Sequence, residues 1–294
     1  MADFGGTDQF ARLRPLLFTL AYEILGSAAD AEDVLQDSYL RWSAVDQAAV
    51  EHPRAYLTRT VTRQALNHLR TTSRRREDYV GSWLPEPIRT EPDAGQDVLL
   101  AESVSMAMLL VLETLAPTER AVFVLSEVFG HSLVEIADLI GKSDAAVRQI
   151  AHRARAHVQA RRKRFHPDAA TGRAVAGQFL LAVRTGDTRA LLELLAPDVV
   201  QISDGGGKVS AARHPILGAA KVAQFVLGLQ RKYLADTDFE VAAYNAQPAV
   251  LTRVGGRLDN ILVIEFDGAL ITGLYAIRNP DKLAAFEIAR PLGR

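Results

Sequence analysis

The chain has 294 residues, of which 48% are hydrophobic, 23% are charged and none is cysteine. That length supports two or three compact domains, and that composition excludes disorder along the whole chain, a disulfide framework and a thiolate metal site. The net charge of −1 conceals blocks of opposite sign. Seven acids and one base, Arg41, lie between Glu23 and Glu51, and seven arginines with no acid lie from Arg54 to Arg76. Eight lysines or arginines and one acid, Asp144, lie from Lys142 to Arg164. Such segregation points to distinct binding faces. The N-terminal residues lack the basic-then-apolar pattern of a secretory leader, and no apolar run reaches the roughly 18 residues of a spanning helix. A cytoplasmic protein with no membrane partner is the expectation.

Phe10, Leu13, Leu17, Leu20, Ala21 and Ile24 recur at helical spacing and stop at Gly26. Ser27 followed by Asp30 signals a cap for a second helix running to Trp42, and Pro53 opens a third that continues to about Arg76. Residues 1–76 are therefore a small helical domain. Pro85, Pro87, Pro92, Gly81 and Gly95 break the pattern, so 77–97 reads as a linker, with Tyr79, Trp83 and Leu84 as apolar anchors. Helices resume over 98–166. From Gly172 two short helices, a strand at Val199–Ser203, a helix near Ala219–Tyr233 and four more strands predict an α+β domain over 170–294.

The sharpest local signal lies between His131 and His157. Ser132 and Glu135 form a capping box, Gly141 closes that short helix, and Ser143 caps the next. The second helix keeps Val147, Ile150, Ala151, Ala154 and Val158 on one face and Arg148, Gln149, His152, Arg153 and Arg155 on the other. A tight glycine turn between two such helices is a helix-turn-helix, whose second helix enters the major groove. Arg suits guanine and Gln suits adenine. Arg161 to Arg164 are better placed for phosphates, which give affinity without sequence choice.

Leu115-Ala116-Pro117-Thr118-Glu119-Arg120, Glu135-Ile136-Ala137, Ala146-Val147-Arg148-Gln149 and His152-Arg153-Ala154-Arg155 together resemble the −35-reading domain of extracytoplasmic-function (ECF) sigma factors. Asp30-Ala31-Glu32-Asp33-Val34-Leu35-Gln36-Asp37 resembles that family's core-polymerase-binding helix. Pro53-Arg54-Ala55-Tyr56-Leu57 through Asn67-His68-Leu69-Arg70 resembles its −10-reading helix. The resemblance implies two partners, core RNA polymerase and promoter DNA. It implies polymerase contacts from Asp30, Glu32, Asp33, Gln36, Asp37 and Trp42. It implies −10 contacts from Arg54, Arg59, Arg63, Asn67 and Arg70, and −35 contacts from Ser143, Ala145, Arg148, Gln149, His152 and Arg153. Many ECF members carry Asn where this chain has Arg63, so their −10 preference does not transfer.

Three further stretches resemble the ECF subgroup with a SnoaL-like C-terminal extension. They are Trp83-Leu84-Pro85-Glu86-Pro87, Asp204-Gly205-Gly206-Gly207-Lys208 and Asn279-Pro280-Asp281-Lys282-Leu283. The fold expected is therefore two all-α sigma domains, the second with a helix-turn-helix, followed by an α+β SnoaL-like cone. These stretches are expected to meet, so that the fused domain controls the linker and no separate anti-sigma protein is required. The resemblance implies a cone with room for a small ligand. His214, Asp236 and Asp259 are its candidate acids and bases, but no spacing pairs them, so catalysis is not expected. The seven histidines show no metal-ligand spacing, and no cofactor is expected. Two other readings stay open: a standalone helix-turn-helix regulator, and a SnoaL-like enzyme with a DNA-binding appendage.

Overall fold

The computed structural model describes residues 5–77, 79–90, 97–161, 169–233, 237–284 and 287–294. Pro92, Gly95, Arg162, Lys163, Arg164 and Asp236 lie outside the described residues. The chain forms two compact units. Met1–Glu77, Met108–Arg162 and Pro291–Arg294 make the first, and Asp78–Ala107 with Lys163–Arg290 make the second. In chain order the helices up to the middle of the chain are α1 (Gly5–Leu25), α2 (Ala28–Ser43), α3 (Pro53–Glu77), α4 (Val98–Ser103), α5 (Met106–Glu113), α6 (Pro117–Phe123), α7 (Leu133–Ile140) and α8 (Asp144–Gln159).

The first unit follows its local signals closely. Ser27 Oγ accepts the Asp30 amide at 3.1 Å and starts α2. Glu135 and Ser132 exchange both bonds of the capping box, at 3.3 and 2.7 Å. Gly141 takes the left-handed conformation, φ 67°, that ends α7 without a Cβ clash. Val147, Ile150, Ala151, Ala154 and Val158 are all buried, as the helical period requires. Arg120 is 1% exposed. Its Nε donates to the Glu23 carbonyl of α1 at 2.8 Å, and a second nitrogen pairs with the Glu113 carboxylate. A buried guanidinium needs such partners, because an unpaired buried charge is costly. Residues 291–294 return to this unit, where the Gly293 amide donates to Thr19 Oγ1 at 3.1 Å.

The second unit holds α9 (Ala169–Thr185), α10 (Thr188–Leu194), β1 (Leu195–Asp204), β2 (Ile216–Leu217), α11 (Ala219–Tyr233), β3 (Thr237–Tyr244), β4 (Gln247–Val254), β5 (Arg257–Asp267), β6 (Leu270–Ile277) and α12 (Pro280–Leu283). The sheet order is β2-β1-β6-β5-β4-β3; β1 and β6 pair in parallel, and the other four neighbouring strand pairs are antiparallel. This is the α+β architecture expected of the cone. On one face, Val199, Val250, Ile264 and Leu274 pack with Val175, Phe179, Leu191, Val222 and Leu227 of the helices.

Strand alternation turns Ala249, Leu251, Ile261, Val263, Tyr275 and Ile277 to the opposite face, and these are buried as well. The segment between the two sigma-like regions meets the sheet at the end of its edge strand β3. The Thr90 amide donates to the Ala243 carbonyl at 3.0 Å, and Ile88 and Asn245 exchange bonds. Arg89 bridges Tyr244 and Ala289 in β fashion. Leu84 and Ile88 are 0% exposed. Residues 79–90 are thus built into the C-terminal unit, and α4, placed from the sequence in the −35 domain, groups with this unit.

Removing Leu84 beyond its Cβ should therefore behave as a core mutation. Leu84→Ala is expected to destabilise the second unit by about 2–5 kcal/mol. Leu217→Ala, at a side chain 62% exposed, should stay within about 0.5 kcal/mol. Denaturant unfolding followed by near-ultraviolet circular dichroism checks both.

Candidate functional site

On α2, Asp33, Gln36 and Asp37 are exposed, and Asp30 and Glu32 are half-buried. Glu32 pairs with Arg14 at 2.5 Å, and Asp30 lies 3.2 Å from His68 Nε2. Trp42, expected at the polymerase surface, is 1% exposed and packs its ring 5.5 Å from that of Tyr56. It is a core residue: its large apolar ring gains more from burial than a rim position would give. Its spacing of seven from the buried Leu35 was the available signal.

On α3, Arg54, Arg63, Asn67 and Arg70 are exposed, and Arg59 is half-buried. Arg63 Nε donates to the Leu139 carbonyl at 2.9 Å, and Arg59 pairs with Asp138. Two candidate −10 residues are therefore engaged with α7 of the helix-turn-helix. Arg63 supplies a cation at the helix's carbonyl end, where the macrodipole favours it.

On α8, Ala145, Arg148, Gln149, His152 and Arg153 are exposed along one side. Arg153 Nε reaches Glu119 at 3.1 Å, and Arg155 Nε reaches Glu127 at 2.7 Å. The Ser143 hydroxyl accepts the Ala146 amide at 3.3 Å, so it serves the helix start.

The three remaining stretches come together in the second unit around Asp204, which is 0% exposed. Its carboxylate accepts the Tyr79 hydroxyl at 2.5 Å, the Leu84 amide at 2.9 Å, the Gly206 amide at 3.0 Å and Lys282 Nζ at 2.7 Å. Its carbonyl accepts the Arg278 and Asn279 amides. Lys282 Nζ also donates to the Leu84 carbonyl and lies 4.3 Å from the Trp83 ring centre and 5.0 Å from that of Tyr79. Facing rings attract a cation, more so where water is excluded. Burial first, and then the Asp204 carboxylate, hold the Tyr79 hydroxyl well above its usual pKa, so it remains a donor.

The glycines permit this approach. A Cβ on Gly206, φ 60°, would lie 2.4 Å from Asn279 Nδ2, and one on Gly207 would lie 2.9 Å from Val80. Pro85 and Pro87 are buried, Glu86 is half-buried, Gly205 and Leu283 are buried, and Pro280 is exposed. Lys208 pairs with Asp281 at 2.6 Å on the surface. Asn279 starts α12 by accepting the Asp281 amide at 3.1 Å, and its Nδ2 donates to Tyr79 at 2.8 Å. Tyr79 had appeared only as an apolar anchor; its hydroxyl is central. Asp259 is engaged by Arg278 at 2.8 Å and His214 is exposed, so the structure does not bring these two into a pair. Among the described residues, no cluster of three or more metal-ligating side chains occurs, and no helix is long and apolar enough to cross a membrane.

Comparison with known proteins accords with this layout. The family model for Sigma-70 region 2 matches residues 9–75, and that for Sigma-70 region 4 matches 105–158. The ECF RNA polymerase sigma factor SigJ of Mycobacterium tuberculosis is 36% identical over 304 residues, covering 97% of each chain. The probable ECF sigma factor SigI of the same species is 31% identical, covering 92% of each. The crystal structure of M. tuberculosis SigJ superposes with a TM-score of 0.77 at 34% identity, over 96% of this chain and 99% of that one. With region 2, region 4 and the C-terminal extension all matched in order, the chain belongs to the ECF sigma factors of RNA polymerase.

Proposed function

We propose that this sigma factor, which directs core RNA polymerase to promoters, is restrained by its own C-terminal domain through the linker. The observation that carries the reading is the buried Asp204–Lys282 pair, which holds Tyr79, Trp83 and Leu84 on that domain. Exposed Asp33, Gln36 and Asp37 of α2, with Asp30 and Glu32 beside them, supply a negative face for a basic polymerase surface. Arg54, Arg59, Arg63, Asn67 and Arg70 of α3 suit a melted −10 element, where phosphates need charge and an unstacked base needs a polar pocket. Ala145, Arg148, Gln149, His152 and Arg153 of α8 suit the −35 major groove.

The engagement of Arg59 and Arg63 with α7 supports a resting state in which −10 contacts are withheld. Promoter opening then exchanges the Asp138 carboxylate and the Leu139 carbonyl for DNA. The fused domain takes the place of a separate anti-sigma protein, works in the cytoplasm, and acts as a regulator rather than an enzyme.

The deciding experiment is run-off transcription with core polymerase, comparing the native chain with Asp204→Ala. The native chain is expected to initiate specifically only when core is present. Asp204→Ala leaves Lys282 buried without its carboxylate, which costs about 3–5 kcal/mol at the junction. Promoter output and the distance between fluorophores on the linker and the C-terminal domain should both rise. No change in either contradicts the restraint.

Base reading is separable from phosphate binding. Arg148→Ala is expected to cost about 1–3 kcal/mol and to relax selectivity at one −35 position. Arg161→Ala should weaken all sequences alike and lower the salt slope by about one. Holoenzyme binding to a −35 substitution panel at two salt concentrations distinguishes them.

A further inference from the structure

We propose that Asn245 and Glu265 form a second clamp on the segment between the two sigma regions, separate from the Asp204 clamp and later along the segment's sequence. The proposal rests on the restraint described above and assigns it a second station.

Asn245 is 0% exposed and sits at the β3–β4 turn with φ 53°, a left-handed conformation that Asn tolerates better than most side chains. Its Oδ1 accepts the Ile88 amide at 3.1 Å, and its Nδ2 donates to the Val104 carbonyl at 2.9 Å, at the end of α4. Its backbone amide donates to the Ile88 carbonyl at 2.9 Å. One side chain therefore joins two points of the segment sixteen residues apart in sequence, 88 and 104. A buried amide with both ends used is costly to displace, because its partners are left without hydrogen bonds.

Glu265, on β5, holds the next station. Its Oε1 accepts the Ala107 amide at 2.8 Å, in the first turn of α5, where helix amides have no partner of their own. A carboxylate there also meets the positive end of the helix dipole. Its Oε2 accepts the Tyr275 hydroxyl at 3.2 Å. Glu265 faces Gly273 across the β5–β6 ladder, and a Cβ on Gly273 would lie 2.8 Å from the Tyr275 hydroxyl. The missing side chain opens the slot through which Tyr275 reaches Glu265. Burial first, and then the neighbouring carboxylate, keep the Tyr275 pKa well above its usual value, so the hydroxyl stays a donor. The cap of α5 is supplied 158 residues downstream of the helix it starts.

The test is hydrogen exchange on the full-length chain, read separately for residues 79–90 and 97–107. Asn245→Gly keeps the left-handed turn and removes the side chain. It should speed exchange over 97–107 by about tenfold while the amides of 79–85 stay protected. Asp204→Ala should give the reverse pattern. Glu265→Gln retains an acceptor for the Ala107 amide and should stay within about twofold of the native chain. The pair Glu265→Leu with Tyr275→Phe removes the cap and should speed Ala107 exchange by about tenfold while β5 amides hold. If Asn245→Gly unfolds, that pair decides alone. Both segments loosening together, or neither, overturns the second clamp. In transcription, Asp204→Ala combined with Asn245→Gly should exceed either single variant several-fold. Flat transcription beside two-station exchange would overturn the restraint and leave the clamp standing.

Discussion

The buried carboxylate of Asp204 is the contact on which the linker's position depends. It is surrounded by donors from three separated stretches: Tyr79 and Leu84, its own Gly206 turn, and Lys282. A carboxylate taken out of water loses several kcal/mol of hydration, and the Coulomb attraction of a single partner does not reliably offset that. Three neutral donors and a cation that lies over two rings do so more effectively, because the carboxylate's charge meets four hydrogens. The rest of that corner follows from the crowding. Gly206 and Gly207 lack side chains because Asn279 and Val80 occupy the space. Asn279 orders the first turn of α12, which brings Lys282 back to the carboxylate.

This arrangement changes what the linker is. A Pro-rich connector ordinarily stays in solvent, yet Leu84 and Ile88 are fully buried and Arg89 forms β-bridges to Tyr244 and Ala289. The sheet is apolar on both faces; helices cover one, and the inter-sigma segment meets the sheet at the end of β3 and at Glu265 of β5. Holding such a segment at one end or at several has different consequences for release, because separated contacts open in smaller steps than one cooperative contact.

What the sequence made legible was local. The capping box of α7, the left-handed Gly141, the start of α3 at Pro53 and the buried stripe of α8 each involve residues within about one or two helical turns, where periodicity and side-chain chemistry are read directly. The three clamp stretches were recognisable as a group only through resemblance, since nothing in their spacing says that residues 120 positions apart, such as Leu84 and Asp204, meet. The resemblance put Trp42 among the polymerase contacts, whereas its side chain is buried. Its burial depends on Tyr56 of the next helix. The pairing of Arg59 and Arg63 with α7, and the grip of Asn245 on two points of the linker, have no sequence signature. They arise when tertiary packing brings unsatisfied carbonyls and amides to whichever side chain can reach them.

The most direct measurement is amide hydrogen exchange at Leu84 and Ile88, first in the free protein and then after assembly with core polymerase. Both amides donate to buried side chains, Asp204 and Asn245. In the free protein they should be protected to the same degree as the central amides of β5, and the protection should fall on assembly if the restraint is released. Exchange at unstructured-chain rates in the free protein would contradict a linker built into the C-terminal domain.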